Sequence, residues 1–117
     1  MNAPRRGELY LVNFDPTIGS EIKKTRPALI LQNDIANRYS PVTIVAALSS
    51  NISEPLYPTE VLVEPDKGGV EKSSVVLLNQ IRTIDKLRLV KKLGRLKQET
   101  MDHIDHALQI SLGLVEV

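Results

Sequence analysis

The chain has 117 residues, 42% of them hydrophobic and 25% charged, which fits one domain spanning 1–117 and excludes a disordered or low-complexity chain. Its 15 basic and 14 acidic residues nearly cancel, so affinity for a polyanion has to come from local clustering, and the absence of cysteine excludes disulfides and thiolate-bound metal. No apolar run approaches the roughly 20 residues that cross a bilayer, and no apolar segment follows Arg5-Arg6, so a soluble, cytoplasmic protein with no membrane contact is expected.

From the amino end, Glu8 to Phe14 alternates apolar and polar residues as a half-buried strand does. Asp15-Pro16 and Gly19 then mark a turn, followed by the segment GSEIKKTRPALILQND from Gly19 to Asp34. That segment carries Ser20, Glu21, Lys23, Lys24 and Arg26 directly into an apolar strand from Ala28 to Leu31. An arginine fork fixed beside Pro27 at a strand start is suited to phosphate, because less conformational entropy is lost in aiming it.

Further strands are predicted over Val42 to Leu48, Thr59 to Val63 and Val75 to Ile81, with turns at Ser40-Pro41, Glu54-Pro55 with Pro58, and Pro65-Asp66 with Gly68-Gly69. Asp85 is placed to cap a single helical turn before a short strand over Val90 to Leu96 that Gly94 interrupts. From Gln98 to Leu112 the period changes: Met101, Ile104, Leu108 and Leu112 recur at helical spacing and Gly113 stands as a stop. Short strands followed by one amphipathic helix predict a mainly β fold, a small, strongly bent antiparallel sheet or partly open barrel with a carboxy-terminal helix.

Two groups could carry chemistry. Ser20, Glu21, Lys24 and Arg26 can meet the hydroxyls of Ser49-Ser50 if the strands containing Arg26 and Ser49 pair antiparallel. For RNA the adjacent ribose hydroxyl can attack phosphorus, so an enzyme must supply positioning and charge more than a nucleophile. Arg26 could stabilise the charge, Ser49 could donate to the phosphate and Glu21 could accept the hydroxyl proton. The other group, Asn79 to Thr83, has two readings: Gln80 and Arg82 either contact RNA, with amides reading base edges, or simply point to solvent from a half-buried strand. His103 and His106, with Asp102 and Asp105, lack the four-residue spacing of paired metal ligands and are read as a solvated helix face, so neither a metal nor a cofactor is expected. With one Phe, three Tyr and no Trp, an aromatic platform for stacking bases is hard to build.

In order and spacing, RRGELYLVNFDPTIGSEIKKTRPALILQND, VTIVAALSS, SSVVLLNQIRTIDKLRL and MDHIDHALQISLGL resemble the MazF/PemK toxins of type II toxin–antitoxin pairs over nearly the whole chain. The resemblance implies an SH3-like barrel with a carboxy-terminal helix, forming a homodimer. It also implies a metal-independent mRNA interferase that cuts single-stranded RNA at short sequences, leaving a 2′,3′-cyclic phosphate and a 5′-hydroxyl. A cognate antitoxin with an acidic, disordered carboxy-terminal segment would cover the same basic groove. By position, Arg26 matches the family's catalytic arginine, and Ser49 stands where a catalytic threonine is usual. One branch has a histidine after the loop glycine and an aspartate before the Gln-Xaa-Arg-Thr segment; here those positions are Ser20 and Asn79, so that acid/base pair is absent. The competing expectation, a non-enzymatic toxin that poisons gyrase on the same fold, depends in the related family on a carboxy-terminal tryptophan that this chain lacks.

Overall fold

The structure, a computed structural model, describes residues 2–65 and 69–117. Its strands are β1 (Glu8–Asn13), β2 (Thr25–Ile30), β3 (Val42–Ser49), β4 (Glu60–Val63), β5 (Ser74–Asp85) and β6 (Leu89–Arg95). They form one sheet in the order β4-β5-β3-β2-β1-β6, and every paired neighbour is antiparallel. The sheet ends on β4 and β6 without closing, which is the bent, partly open form that the short strands and turns indicate.

β2 starts at Thr25, earlier than the apolar run suggests, because the Val12↔Arg26 and Asn13↔Thr25 pairs extend the ladder into the polar segment. Arg26 and Pro27 are therefore strand residues. The tip of the predicted turn at Pro65 to Gly69 falls on 66–68, outside the described residues, but the strands flanking it pair from Glu60↔Leu77 to Val63↔Ser74.

Alternation gives the sheet two apolar faces. On the first, Leu9, Leu29, Leu31, Ala46, Leu48 and Leu78 pack against Met101, Ile104 and Ala107 of helix α2 (Gln98–Ser111 in the structure). A short helix, α1 (Asp34–Tyr39), precedes α2 in the chain. Burying a side chain such as Ile104 contributes about 1.5–3 kcal/mol, so this row accounts for much of the fold's stability. α2 stops where Gly113, at φ 72, sends its N–H to Ile110 and passes the next N–H, from Leu114, to Gln109, closing the last carbonyls. On the second face Tyr10, Val12, Ala28, Ile30, Val45 and Ala47 are joined by Phe14, Ile84 and Leu89, with Ile22 packed over them.

Helix α1 has no apolar period to announce it, since its exposed face carries Ile35 and Tyr39. A fully buried amide holds it: the Asn37 side chain donates to the Gln32 carbonyl and accepts from Gln32 and the Thr43 hydroxyl. Asn33 caps its first turn by accepting from the Ala36 N–H. The turn predicted after Asp85 is a 3₁₀ turn at Lys86–Arg88, and the Asp85 carboxylate accepts the Leu87 N–H there.

β5 is the strand that departs most from regularity. Ala46 pairs with Ile81 and Leu48 with Val76, so a two-residue step along β3 faces a five-residue step along β5. The excess bulges at Leu78 to Gln80, which bends the strand and turns Asn79 and Gln80 out of the ladder.

Candidate functional site

The segment from Phe14 to Lys24 crosses the second face and is tied at its neck. Phe14 N–H donates to the Lys24 carbonyl at 3.0 Å, and Lys24 N–H donates to the Asp15 carboxylate at 3.0 Å. This closure holds Lys24 at φ 69, a left-handed conformation that costs a side-chain-bearing residue about 1–2 kcal/mol. Within the loop, Glu21 caps its own turn, accepting the Ile18 N–H at 2.7 Å while its N–H returns to the Ile18 carbonyl. Ser20, Glu21 and Lys24 are all exposed.

Side chains from far along the chain fix the loop against the sheet. The Gln80 amide, standing on the β5 bulge, accepts the Ile22 N–H at 3.1 Å and donates to the Ser20 carbonyl at 3.3 Å. Arg82 donates to the Phe14 carbonyl at 2.9 Å with its guanidinium 5.9 Å from the Phe14 ring centre, and Arg88 donates to the Asn13 and Asp15 carbonyls. Both Gln80 and Arg82 are half-buried, so each faces the loop backbone instead of free solvent. Glu21, Ile22, Asn79, Gln80 and Arg82 together line a groove of about 210 Å³.

Arg26 and Ser49 are related by register. The β2–β3 ladder runs Ile30↔Val45, Leu29↔Ala46, Ala28↔Ala47, and two residues further along each strand stand Arg26 and Ser49. Ala28 and Ala47 lie in the second core, as does Val12, the cross-strand partner of Arg26. Since residues two apart in a strand share a face, Arg26 and Ser49 belong to the face that the loop crosses. Arg82, cross-strand partner of Val45, belongs there too. Both Arg26 and Ser49 are half-buried at the strand ends. The Arg26 Nε donates to the Lys23 carbonyl at 2.8 Å, which orients the guanidinium, and the Ser49 hydroxyl accepts the Asn51 N–H at 3.1 Å. Ser50, rather than Ser49, lines the adjoining cleft together with Arg26.

Chemically, this is a surface with a strand-anchored cation, a hydroxyl whose proton is free to donate, and a carboxylate one loop away. The sequence pointed to Arg26, Ser49 and Glu21, but not to Arg88 or to the clamping geometry of Gln80 and Arg82. Those contacts span 58 to 75 residues and leave no local signature.

On α2 the polar face is not uniformly solvated. Asp105 pairs with Arg6 at 2.5 Å and Asp102 accepts from Gln98 at 2.9 Å, whereas His103 and His106 are exposed beside β4. Among the described residues no group of three or more His, Asp or Glu side chains is placed to hold a metal ion, and no helix is long and apolar enough to cross a membrane.

Residues 5–112 match the family described as PemK-like, MazF-like toxin of type II toxin-antitoxin system. Over 112 residues the chain is 48% identical to a Bacillus subtilis (strain 168) protein named Endoribonuclease EndoA, a match covering 96% of this chain and 97% of that protein. MazF from Deinococcus radiodurans superposes with a TM-score of 0.83 at 29% identity, covering 97% of this chain and 99% of that one. An endoribonuclease in complex with its cognate antitoxin, from a mycobacterial species, gives a TM-score of 0.80 at 27% identity, covering 98% and 100%.

Proposed function

Because the chain belongs to the family of PemK-like, MazF-like toxins, we propose that it is a sequence-specific, metal-independent endoribonuclease acting on single-stranded RNA, the toxin of a type II toxin–antitoxin pair. The observation that supports the catalytic reading is the β2–β3 register, in which Arg26 and Ser49 each stand two residues beyond the Ala28↔Ala47 pair and so share the face crossed by the loop.

In this reading the ribose 2′-oxygen attacks phosphorus and the 5′-oxygen leaves, giving a 2′,3′-cyclic phosphate and a 5′-hydroxyl. Glu21 accepts the 2′-hydroxyl proton. Arg26, protonated in the resting enzyme, neutralises the charge that builds on the phosphoryl oxygens, and Ser49 donates a hydrogen bond to one of them. The leaving oxygen takes its proton from Arg26 or from water. Ser20 and Lys24, exposed on the loop, contact the RNA, and Gln80 and Arg82 serve the same site by setting where that loop lies.

The partners proposed are a second copy of the chain and an antitoxin whose acidic, disordered segment competes with RNA for the basic surface, in the cytoplasm. Exposed Leu112, Leu114 and Val117 at the carboxy end, with Ile35 and Tyr39 on α1, supply apolar area that a symmetric partner can cover. Support for the antitoxin comes from the mycobacterial relative solved with its own.

The test is cleavage of single-stranded RNA in excess chelator. The wild-type protein is expected to cut, and Arg26→Ala to lose about 10³-fold in rate at unchanged thermal stability. Intact RNA with the wild-type protein, or equal cutting by Arg26→Ala, overturns the reading.

A further inference from the structure

Next to Arg26 the first face of the sheet opens into a cleft of about 330 Å³, at the lower end of the range for small-ligand sites, about 300–1,000 Å³. Helix α2 packs on the first face in the core that holds Leu9, Leu31 and Leu48, and beyond it Leu11 and Pro27, with the edge of Leu48, form the floor of this cleft, with Leu93 of β6 beside them. The opposite wall is the strap Gly69 to Ser74 that enters β5.

Two contacts seat the strap. Val70 is 5% exposed and belongs to the first core. Gly69, at φ +95, lies so close to β6 that a Cβ there would come within 2.1 Å of the Leu93 carbonyl oxygen. Only glycine allows that close approach of the strap to β6. The rim is polar and carries a net positive charge, with Arg26, Lys72 and Lys91 against Glu71, and Ser50 beside them.

We propose that this cleft is a subsite for one nucleotide flanking the scissile linkage, a proposal that rests on the ribonuclease reading above. Arg26 is shared: it belongs by register to the face crossed by the loop, and it also lines the cleft. A strand of RNA whose phosphate sits at Arg26 therefore has its neighbouring nucleotide at the cleft mouth. The base settles on the aliphatic floor of Leu11, Leu48 and Leu93, and Lys72 and Lys91 meet the next phosphate. The apolar lining of this cleft is aliphatic: the one phenylalanine and Tyr10 are buried in the second core, and the exposed Tyr39 and Tyr57 lie outside the lining.

The experiment combines enzyme and substrate changes. A single-stranded RNA cut by the wild-type protein is remade with one abasic nucleotide at each position around the cut. One position is expected to lower kcat/KM by about 5- to 100-fold, the size of one base's stacking or apolar burial. In Lys91→Glu, altered at an exposed β6 position, and in Gly69→Ala, whose added Cβ pushes the strap off Leu93, the penalty at that one position shrinks to less than twofold while the others persist. Because Lys91→Glu changes a surface residue, it carries the test even if Gly69→Ala does not fold.

Abasic penalties that are the same in Lys91→Glu as in the wild type overturn the subsite. So does a result in which Lys91→Glu leaves every penalty intact and weakens binding of an acidic peptide, because the cleft would then serve a protein partner. Failure of the ribonuclease reading looks different: Arg26→Ala would cut as well as wild type, whatever the abasic positions show.

Discussion

The two faces of the sheet are covered by different physics. The first is packed by α2, whose Met101, Ile104 and Ala107 join Leu9, Leu29, Leu31 and Leu78 in one buried aliphatic cluster. The second is crossed by a polar loop that sends two apolar side chains, Phe14 at its start and Ile22, onto the core and is otherwise held by hydrogen bonds from Gln80, Arg82 and Arg88 to its backbone. Apolar packing is strong and tolerant of small shifts in detail, whereas directed hydrogen bonds set position at a lower energy per contact. Stability resides in the helix-covered face, and the groups proposed for chemistry lie on the loop-crossed one. A site that must open for a long substrate is better built where covering is weak.

That division predicts opposite responses to substitution on the two faces. Ile104→Ala, at a fully buried position under α2, is expected to lose about 2–5 kcal/mol of stability through lost burial and the cavity left behind. Its cleavage rate per folded molecule should stay near wild type below the transition. Denaturant unfolding and rate measurement on the same sample check both halves. A large rate loss in fully folded Ile104→Ala would show that the two faces are coupled.

A smaller effect is expected at Gln80. Gln80→Ala removes both hydrogen bonds to the loop, to the Ile22 N–H and the Ser20 carbonyl, at a cost of about 1 kcal/mol each at most, since both groups can turn to water. Hydrogen exchange separates this from a general loosening. The Ile22 amide should exchange roughly tenfold faster, matching about 1.4 kcal/mol, while amides in α2 are unchanged. Equal protection of Ile22 in both proteins would mean that the loop is held by its neck alone.

The same division explains what could be read from the chain. Helical spacing from Met101 to Leu112 and the glycine after it define α2, because a helix covering a core must show its apolar stripe. Strand positions follow from alternation, and the Arg26–Ser49 relation follows once the two strands pair. Helix α1 was invisible because its anchor is a buried amide, Asn37, among polar partners, and hydropathy is blind to that. The bulge in β5 was invisible as well. Nothing in SSVVLLNQIRTID marks where the ladder slips: β3 pairs with β5 on both sides of the bulge, and β4 pairs only with its first half, from Ser74 to Leu77. For that reason Gln80 could be read as a base contact or as a solvated residue, and its bonds to the loop appear only in three dimensions.

The finest test of the comparison lies at Lys24. Its φ of 69 is imposed by the neck, where Asp15 takes its N–H and Phe14 donates to its carbonyl. Lys24→Gly relieves the left-handed strain of about 1–2 kcal/mol, less the added entropy of glycine in the unfolded chain of about 0.5–1 kcal/mol, so a net gain of at most about 1.5 kcal/mol is expected. The same change removes an exposed cation from the loop. If RNA is engaged there, the slope of log KM against log salt should fall by about 0.7, the contribution of one phosphate contact on a single strand. Stability and binding thus move in opposite directions at one residue, as expected where strain is retained for function. A Lys24→Gly protein that is more stable and keeps the full salt slope would assign Lys24 to the architecture of the neck and remove it from the RNA surface.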